Sequence, residues 1–127
     1  MSADDVLAIH KLLADYNHLI DAGEAEAWAD TFAEGATFDS GSMPPISGRD
    51  ALVAFCHGTG QMVPGGRHVI SNISVEVTGA TATSRCYLQL WVPSDGVPKL
   101  VFSGRYADTL ANTDRGWRFT RRTMTPD

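Results

Sequence analysis

The stretch that decides the fold is residues 68–124, HVISNISVEVTGATATSRCYLQLWVPSDGVPKLVFSGRYADTLANTDRGWRFTRRTM. It contains four segments in which β-branched, aromatic and polar residues alternate, separated by three short turns rich in Gly, Pro, Asn and Asp. Such segments are typical of β-strands, and we predict strands at 68–77, 81–92, 99–110 and 117–124. Because the turns are short, consecutive strands should pair antiparallel as a meander.

The residues before this stretch carry helical patterns. Apolar residues recur at three- and four-residue intervals through 6–20, after a capping pattern at Ser2 and before a stop signal at Gly23. We predict a second helix over 24–33, a short strand at 36–39, a loop at 41–47, a third helix beginning near Ala51 and a loop at 62–66. Helices followed by a meander predict an α+β fold in which the helices cover one face of the sheet.

Length and charge restrict the class of protein. The chain has 127 residues, 43% hydrophobic and 20% charged, with a formal net charge of -5. This predicts one domain over 1–127 and no nucleic-acid partner, since phosphate binding requires a basic face. No apolar run approaches the roughly 20 residues that span a bilayer, and the N-terminus is acidic where a signal peptide would be basic. We therefore expect a cytoplasmic protein without a membrane partner.

The sequence offers no recognisable metal or cofactor motif. Cys56 and Cys86 lack metal-ligand spacing, and no phosphate-binding glycine loop is present. We predict that both cysteines are buried and reduced, and that the protein needs no metal and no organic cofactor. A nucleophilic Cys56 beside His57 is the alternative.

Alternation along the strands also predicts an interface. Tyr87, Trp91 and Val101 should point away from the helices, which is more apolar surface than a solvated sheet face usually carries. We therefore predict a homodimer formed through the outer face of the sheet.

Five segments together resemble a known family. They are YNHLIDAGEAEAWADTFAEGATF (16–38), SGRDALVAF (47–55), RHVISN (67–72), GRYADTL (104–110) and GWRFTRR (116–122). In order and spacing they resemble the SnoaL-like branch of the nuclear-transport-factor-two-like superfamily, which includes scytalone dehydratase, ketosteroid isomerases, polyketide cyclases and bile-acid dehydratases. The resemblance implies a cystatin-like cone: a curved antiparallel sheet, three N-terminal helices packed on its concave face, and a pocket between them.

The resemblance to the dehydratases also implies catalytic residues. Those enzymes place a tyrosine and an aspartate late in the first helix and a histidine at the start of the first long strand, where this chain has Tyr16, Asp21 and His68. Some relatives add a cavity arginine from the last strand, and Arg121 shares the predicted face of Trp117 and Phe119. A second polar residue of the dehydratases is replaced here by an apolar one, Leu88.

The remaining predicted ligand contacts are apolar. They are Trp28, Phe32, Phe38, Phe55, Met62 and Leu88, which together with Arg121 are expected to line the pocket. Each prediction has a simpler structural alternative. His68 could be a core histidine bonded to a backbone carbonyl, Asp21 a cap on the turn before Gly23, Tyr16 a core residue, and Arg121 part of a solvated basic strand.

Three functions fit this pattern. The first is a cofactor-independent dehydratase or isomerase that acts by Asp–His general acid–base chemistry on a small cyclic or polyketide-like carbonyl compound. The second is a module of the same fold that binds a small apolar ligand, or a second chain, without catalysis. The third is an epoxide hydrolase-like reaction, in which Asp21, Arg121 and Asp39 would surround one water molecule.

Overall fold

The computed structural model describes residues 2–127 and contains three helices and one six-stranded sheet. In chain order the elements are α1 (Ala3–Asp21), α2 (Ala25–Ala29), β1 (Phe32–Asp39), β2 (Ile46–Ser47), α3 (Arg49–Met62), β3 (Arg67–Thr78), β4 (Thr81–Ser94), β5 (Val97–Thr113) and β6 (Gly116–Pro126). The strand order is β2-β1-β6-β5-β4-β3. The predicted α+β cone is confirmed: the helices pack on one face of a curved sheet, with β1 and β2 inserted between α2 and α3.

Helix α1 begins and ends where the sequence predicts. The Ser2 hydroxyl accepts a hydrogen bond from the backbone N–H of Asp4 at 3.1 Å, which satisfies one of the free donors of the first turn. The helix ends at Asp21, and Gly23 follows with φ 72°, a conformation that glycine adopts without strain. Its buried stripe includes Ile9, Leu13 and Tyr16. The last residue of α1 is thereby fixed at the edge of the sheet.

The sequence predicts an antiparallel sheet, but the sheet contains one parallel pair of strands. Strands β3 to β6 form the expected meander, but β1 pairs with β6 in parallel. The second helix is also shorter than predicted, because the Thr31 hydroxyl donates to the Trp28 carbonyl and the Phe119 N–H donates to the Thr31 carbonyl. These bonds divert the chain into the sheet, and Phe32 becomes the first residue of β1. The short strand β2 occupies part of the predicted loop and pairs with β1.

Three β-bulges curve the sheet and change which residues face inward. The registers shift between Ser71 and Ser74 in β3, at Val101 in β5 and at Thr120 in β6. Each bulge adds one residue to one strand, so the inward-facing set changes between odd and even positions there. Bulges also increase bending and twist, which gives the sheet its concave inner face.

The core lies between α1 and this concave face. Its largest fully buried side chains include Trp28, Tyr16, Phe119 and Leu88. Aromatic rings contact one another at centroid distances of 5.0–6.1 Å across α1, α2, α3, β1 and β6. Among residues 2–127, no helix combines the length and apolar composition needed to cross a membrane.

Candidate functional site

An apolar cavity of about 380 Å³ lies between α1, α3 and the inner face of the sheet. Its walls are mostly aliphatic and aromatic side chains, with a few hydroxyl groups and one imidazole. Met43 and Met62 line it while remaining 49% and 83% exposed, so they mark its mouth. Such a cavity suits an uncharged organic molecule of one or two rings.

Asp21 and His68 meet at the wall of this cavity. Oδ1 of Asp21 lies 2.6 Å from Nδ1 of His68, and the same carboxylate accepts the backbone N–H of His68 at 3.1 and 3.2 Å. Their side chains are only 22% and 10% exposed, respectively. The end of α1 packs beside the start of β3, so two residues 47 positions apart in sequence become neighbours.

This contact fixes the tautomer of the neutral imidazole. A carboxylate can only accept a hydrogen bond, so Nδ1 must carry the proton. In neutral His68, Nε2 then has a free lone pair, and His68 is one of the residues lining the cavity. The arrangement can therefore accept a proton from a bound molecule and stabilise the resulting imidazolium through Asp21.

A smaller cavity of about 230 Å³ adjoins the first and shares Ile20, Thr59, Val63 and His68 with it. It is lined by Asp21, by the turn that follows α1, and by Gly60, Gly65 and Gly66 at the end of α3 and beyond. His68 contributes to the walls of both cavities. Of the pair, Asp21 lines only the smaller cavity.

Of the predicted apolar ligand contacts, Phe38, Phe55, Met62 and Leu88 line the cavity. Trp28 and Phe32 do not, and that part of the prediction is wrong. Trp28 is fully buried behind the cavity wall, stacked on Phe55 and 5.3 Å from the ring of Tyr16. Phe32, the first residue of β1, packs behind Tyr16 at a ring distance of 6.1 Å.

Arg121 does not reach the cavity, contrary to the prediction. The bulge at Thr120 turns its side chain outward, where it is 49% exposed and lies 3.6 Å from Asp39. Asp21, Arg121 and Asp39 therefore do not converge on one point, which removes the geometric basis of the epoxide hydrolase-like hypothesis. The next residue, Arg122, points inward instead and is fully buried.

Arg122 forms a buried ionic cluster that the sequence pattern does not predict. Its Nε lies 3.0 Å from Oδ1 of Asp108, and the Ser84 hydroxyl donates to Oδ2 of the same carboxylate at 2.7 Å. The Arg122 N–H is not aligned with Oδ1, so the contact is an ion pair rather than a well-formed hydrogen bond. Asp108 and Arg122 are register partners on the inner face of β5 and β6.

Two tyrosines separate this ionic cluster from the cavity. Tyr16 and Tyr106 both line the cavity and are 1% and 2% exposed. Burial raises the pKa of Tyr16 well above its usual value, and the neighbouring Tyr106 adds to the increase while Arg122 opposes it. Burial likewise raises the pKa of Tyr106, again against the effect of Arg122. Both phenols are therefore protonated at neutral pH and can act as hydrogen-bond donors.

One sequence signal could have identified the cluster. Asp108 lies two residues after Tyr106 and two before Leu110, so alternation places a carboxylate on the apolar face of a strand. A buried carboxylate needs a partner, and only a cationic residue on an adjacent strand could supply the charge. Arg122 itself could not be chosen over Arg121, because the bulge leaves no clear sequence signature.

The two cysteines are buried and unpaired, as predicted. Burial raises the pKa of the Cys86 thiol to about 11, and burial also raises the pKa of Cys56. Neither environment favours a nucleophilic thiolate at neutral pH. Within residues 2–127, no three His, Cys, Asp or Glu side chains are grouped so that they could hold a metal ion.

Comparison with known proteins places the chain among similar structures. A family model described as a SnoaL-like domain matches residues 1–123. A nuclear-transport-factor-two-like protein with a cystatin-like fold from Novosphingobium aromaticivorans is 28% identical, with a TM-score of 0.91 over 97% of this chain and 82% of that one.

Two further structures from the same organism carry provisional enzyme names. One, provisionally named an aromatic ring hydroxylase, is 30% identical with a TM-score of 0.87. The superposition covers 99% of this chain and 91% of the hydroxylase chain. The other, provisionally named a scytalone dehydratase, is 26% identical with a TM-score of 0.83. The superposition covers 96% of this chain and 83% of the dehydratase chain.

Proposed function

The chain belongs to the SnoaL-like domain family, and we propose that it is a cofactor-independent lyase or isomerase acting on a small cyclic or polyketide-like carbonyl compound. The observation that carries this proposal is the 2.6 Å contact between Asp21 and His68 at the wall of an apolar cavity. The similarity to a protein provisionally named a scytalone dehydratase is consistent with it.

His68 is the general base in this proposal. Its Nε2 removes a proton from the carbon next to the substrate carbonyl, and the electron pair of that C–H bond forms an enolate. Asp21 holds the imidazole in the reactive tautomer and stabilises the positive charge that develops on it. Acid–base assistance of this kind contributes on the order of 10²–10⁴-fold to a rate.

The same imidazolium then returns the proton. If the substrate carries a hydroxyl on the β-carbon, the C–O bond breaks as the enolate collapses, the hydroxyl takes the proton and water leaves. If the proton returns to a different carbon instead, the product is an isomer. Tyr16 supports both routes by donating a hydrogen bond to the oxygen on which enolate charge develops.

A direct test uses 3-hydroxy-1-tetralone, whose loss of water gives 1-naphthol, a fluorescent product. The wild-type protein should release naphthol faster than buffer does, and His68→Ala should lower the rate by about 10²–10⁴-fold with an unchanged circular dichroism spectrum. His57→Ala is the matched control, since His57 lies on the exposed face of α3. Equal rates in wild type and His68→Ala across a panel of cyclic β-hydroxy ketones would contradict the proposal.

A binding module without catalysis is the second candidate, and Leu88 is the observation that favours it. This side chain is 1% exposed and lines the cavity where the dehydratases carry a polar residue. A binder would take up apolar ring compounds with an affinity that His68→Ala leaves unchanged. Isothermal titration with naphthalene derivatives, combined with the turnover assay, distinguishes the two candidates.

We also propose that two copies associate through the outer face of the sheet. Tyr87 is 55% exposed there, which supports an interface. Val101, which the sequence predicts on the outer face, lines the cavity instead, because the β5 bulge turns its side chain inward. Analytical ultracentrifugation of wild type and Tyr87→Glu tests this: the wild type should sediment as a dimer and the variant as a monomer.

A further inference from the structure

The guanidinium group of Arg122 is enclosed by aromatic rings. Its central carbon lies 3.4 Å from the ring centroid of Tyr106, 4.3 Å from that of Tyr16 and 4.7 Å from that of Phe119. Cations are attracted to the faces of aromatic rings, and more strongly where water is excluded. The side chain is fully buried, so this is a fixed cation in the interior of the protein, paired with the equally buried Asp108.

Asp108 balances the charge of Arg122, but the hydrogen-bonding capacity of the guanidinium is largely unused. Nη1 of Arg122 is buried without a hydrogen-bond partner among residues 2–127, and Nη2 has only a weak contact to Sγ of Cys86 at 4.0 Å. A buried donor without a partner is destabilising, so its presence calls for an explanation. The rings of Tyr16 and Tyr106 lie 6.0 Å apart, edge to face, between the cation and the cavity.

We propose that Tyr106 joins Tyr16 in one oxygen subsite on the cavity floor, that this subsite takes the carbonyl or enolate oxygen of the ligand, and that Arg122 is the positioning residue behind it. This rests on the proposed function and names the end of the cavity at which the substrate oxygen is held. Negative charge that develops on the oxygen is stabilised by two phenol donors and, through them, by the positive end of the buried Arg122–Asp108 ion pair, which contacts both rings and which water does not screen.

The relative positions of the groups suit such a ligand. Tyr16 precedes Asp21 by five residues in α1, so it lies about 7.5 Å further along the helix axis. The oxygen subsite is therefore deeper in the cavity than the base. A planar cyclic ketone could place its oxygen on the phenols and an acidic C–H toward His68. An open-chain acid would place a full charge in an apolar chamber instead.

The experiment is a titration with ring-substituted naphthols of similar size but different acidity, monitored by their absorption and fluorescence. Naphthols resemble the planar enol, and naphthalene reports apolar binding alone. In wild type, affinity should rise as the naphthol becomes more acidic. Tyr106→Phe should weaken the most acidic naphthol by about ten- to a hundredfold and flatten this dependence, while naphthalene binding is unchanged. Tyr87→Phe, on the outer face, should match wild type.

Arg122 is tested by the same dependence. Arg122→Lys keeps a cation and should retain part of the rise in affinity with acidity, whereas Arg122→Met should abolish it. If Arg122→Met does not fold, Arg122→Lys and Tyr106→Phe still decide the matter. Equal naphthol affinities in wild type and Tyr106→Phe would overturn the subsite. If the tetralone assay fails while the Tyr106→Phe loss persists, the proposed function fails and the subsite stands.

Discussion

Replacing Asp108 with asparagine should cost this protein a large part of its stability. The substitution removes the negative charge opposite Arg122 but keeps the volume of the side chain and an acceptor for the Ser84 hydroxyl. Since both side chains of the ion pair have an exposure of 0%, Arg122 would become an uncompensated buried cation. Breaking such a pair typically costs about 3–5 kcal/mol, and domains of this size are stable by only about 5–15 kcal/mol.

The expected shift in melting temperature follows from the chain length. With an unfolding entropy of about 2.1 cal/mol/K per residue, 127 residues give roughly 0.27 kcal/mol/K. A loss of about 4 kcal/mol would therefore lower the melting temperature by about 15 °C. Ser84→Ala removes one hydrogen bond to the same carboxylate and should cost less, about 1.5–3 kcal/mol.

Urea unfolding followed by tryptophan fluorescence measures these losses. Asp114→Asn, in the exposed turn between β5 and β6, is the matched control and should change stability by less than about 0.5 kcal/mol. The double variant Asp108→Leu/Arg122→Met should be more stable than Asp108→Asn, because it removes both charges together. The reasoning is refuted if Asp108→Asn costs less than about 1 kcal/mol, or if the effects of the two sites simply add.

Two further predictions concern other parts of the chain. Both thiols should resist iodoacetamide at pH 8 in the folded protein and react after denaturation, because burial raises the pKa of each. With a pKa of about 11, Cys86 is ionised in only about one molecule in a thousand at that pH. Rapid labelling of the native protein would contradict this. Gly104→Ala should destabilise the protein by about 1–3 kcal/mol, since its Cβ would lie 2.6 Å from the Thr125 carbonyl oxygen. Gly58→Ala, whose Cβ meets nothing within 4 Å on α3, should instead stabilise it by about 0.5–1 kcal/mol in the same urea experiment.

The sequence predicts the elements better than their pairing. Periodicity and turn residues locate α1, α3 and the four long strands, because these signals are local. The parallel pairing of β1 with β6 depends on contacts between segments far apart in the chain, so no local sequence pattern predicts it. The early end of α2 also depends on a long-range contact, since the backbone N–H of Phe119 donates a hydrogen bond to the carbonyl of Thr31.

The sequence likewise predicts some residues of the candidate site and not others. Asp21 and His68 come together as the family resemblance implies, because they lie at the ends of well-predicted elements. Strict alternation through β6 predicts that Arg121 rather than Arg122 faces the cavity, but the extra residue at Thr120 breaks that alternation. Trp28 and Phe32 show another limit: composition cannot distinguish the wall of a pocket from the layer of core behind it.

The most direct test of the account is hydrogen exchange at the α-carbon of a bound ketone, because both proposed reactions begin with that proton transfer. Deuterium incorporation into 2-tetralone can be followed by proton NMR in D₂O, with saturating ketone and with binding confirmed by titration. Wild type should exchange the proton about 10²–10⁴-fold faster than His68→Ala, and the exchange rate of Asp21→Asn should lie between those of the other two proteins. Equal exchange rates in wild type and His68→Ala, with the ketone bound in both, would contradict it.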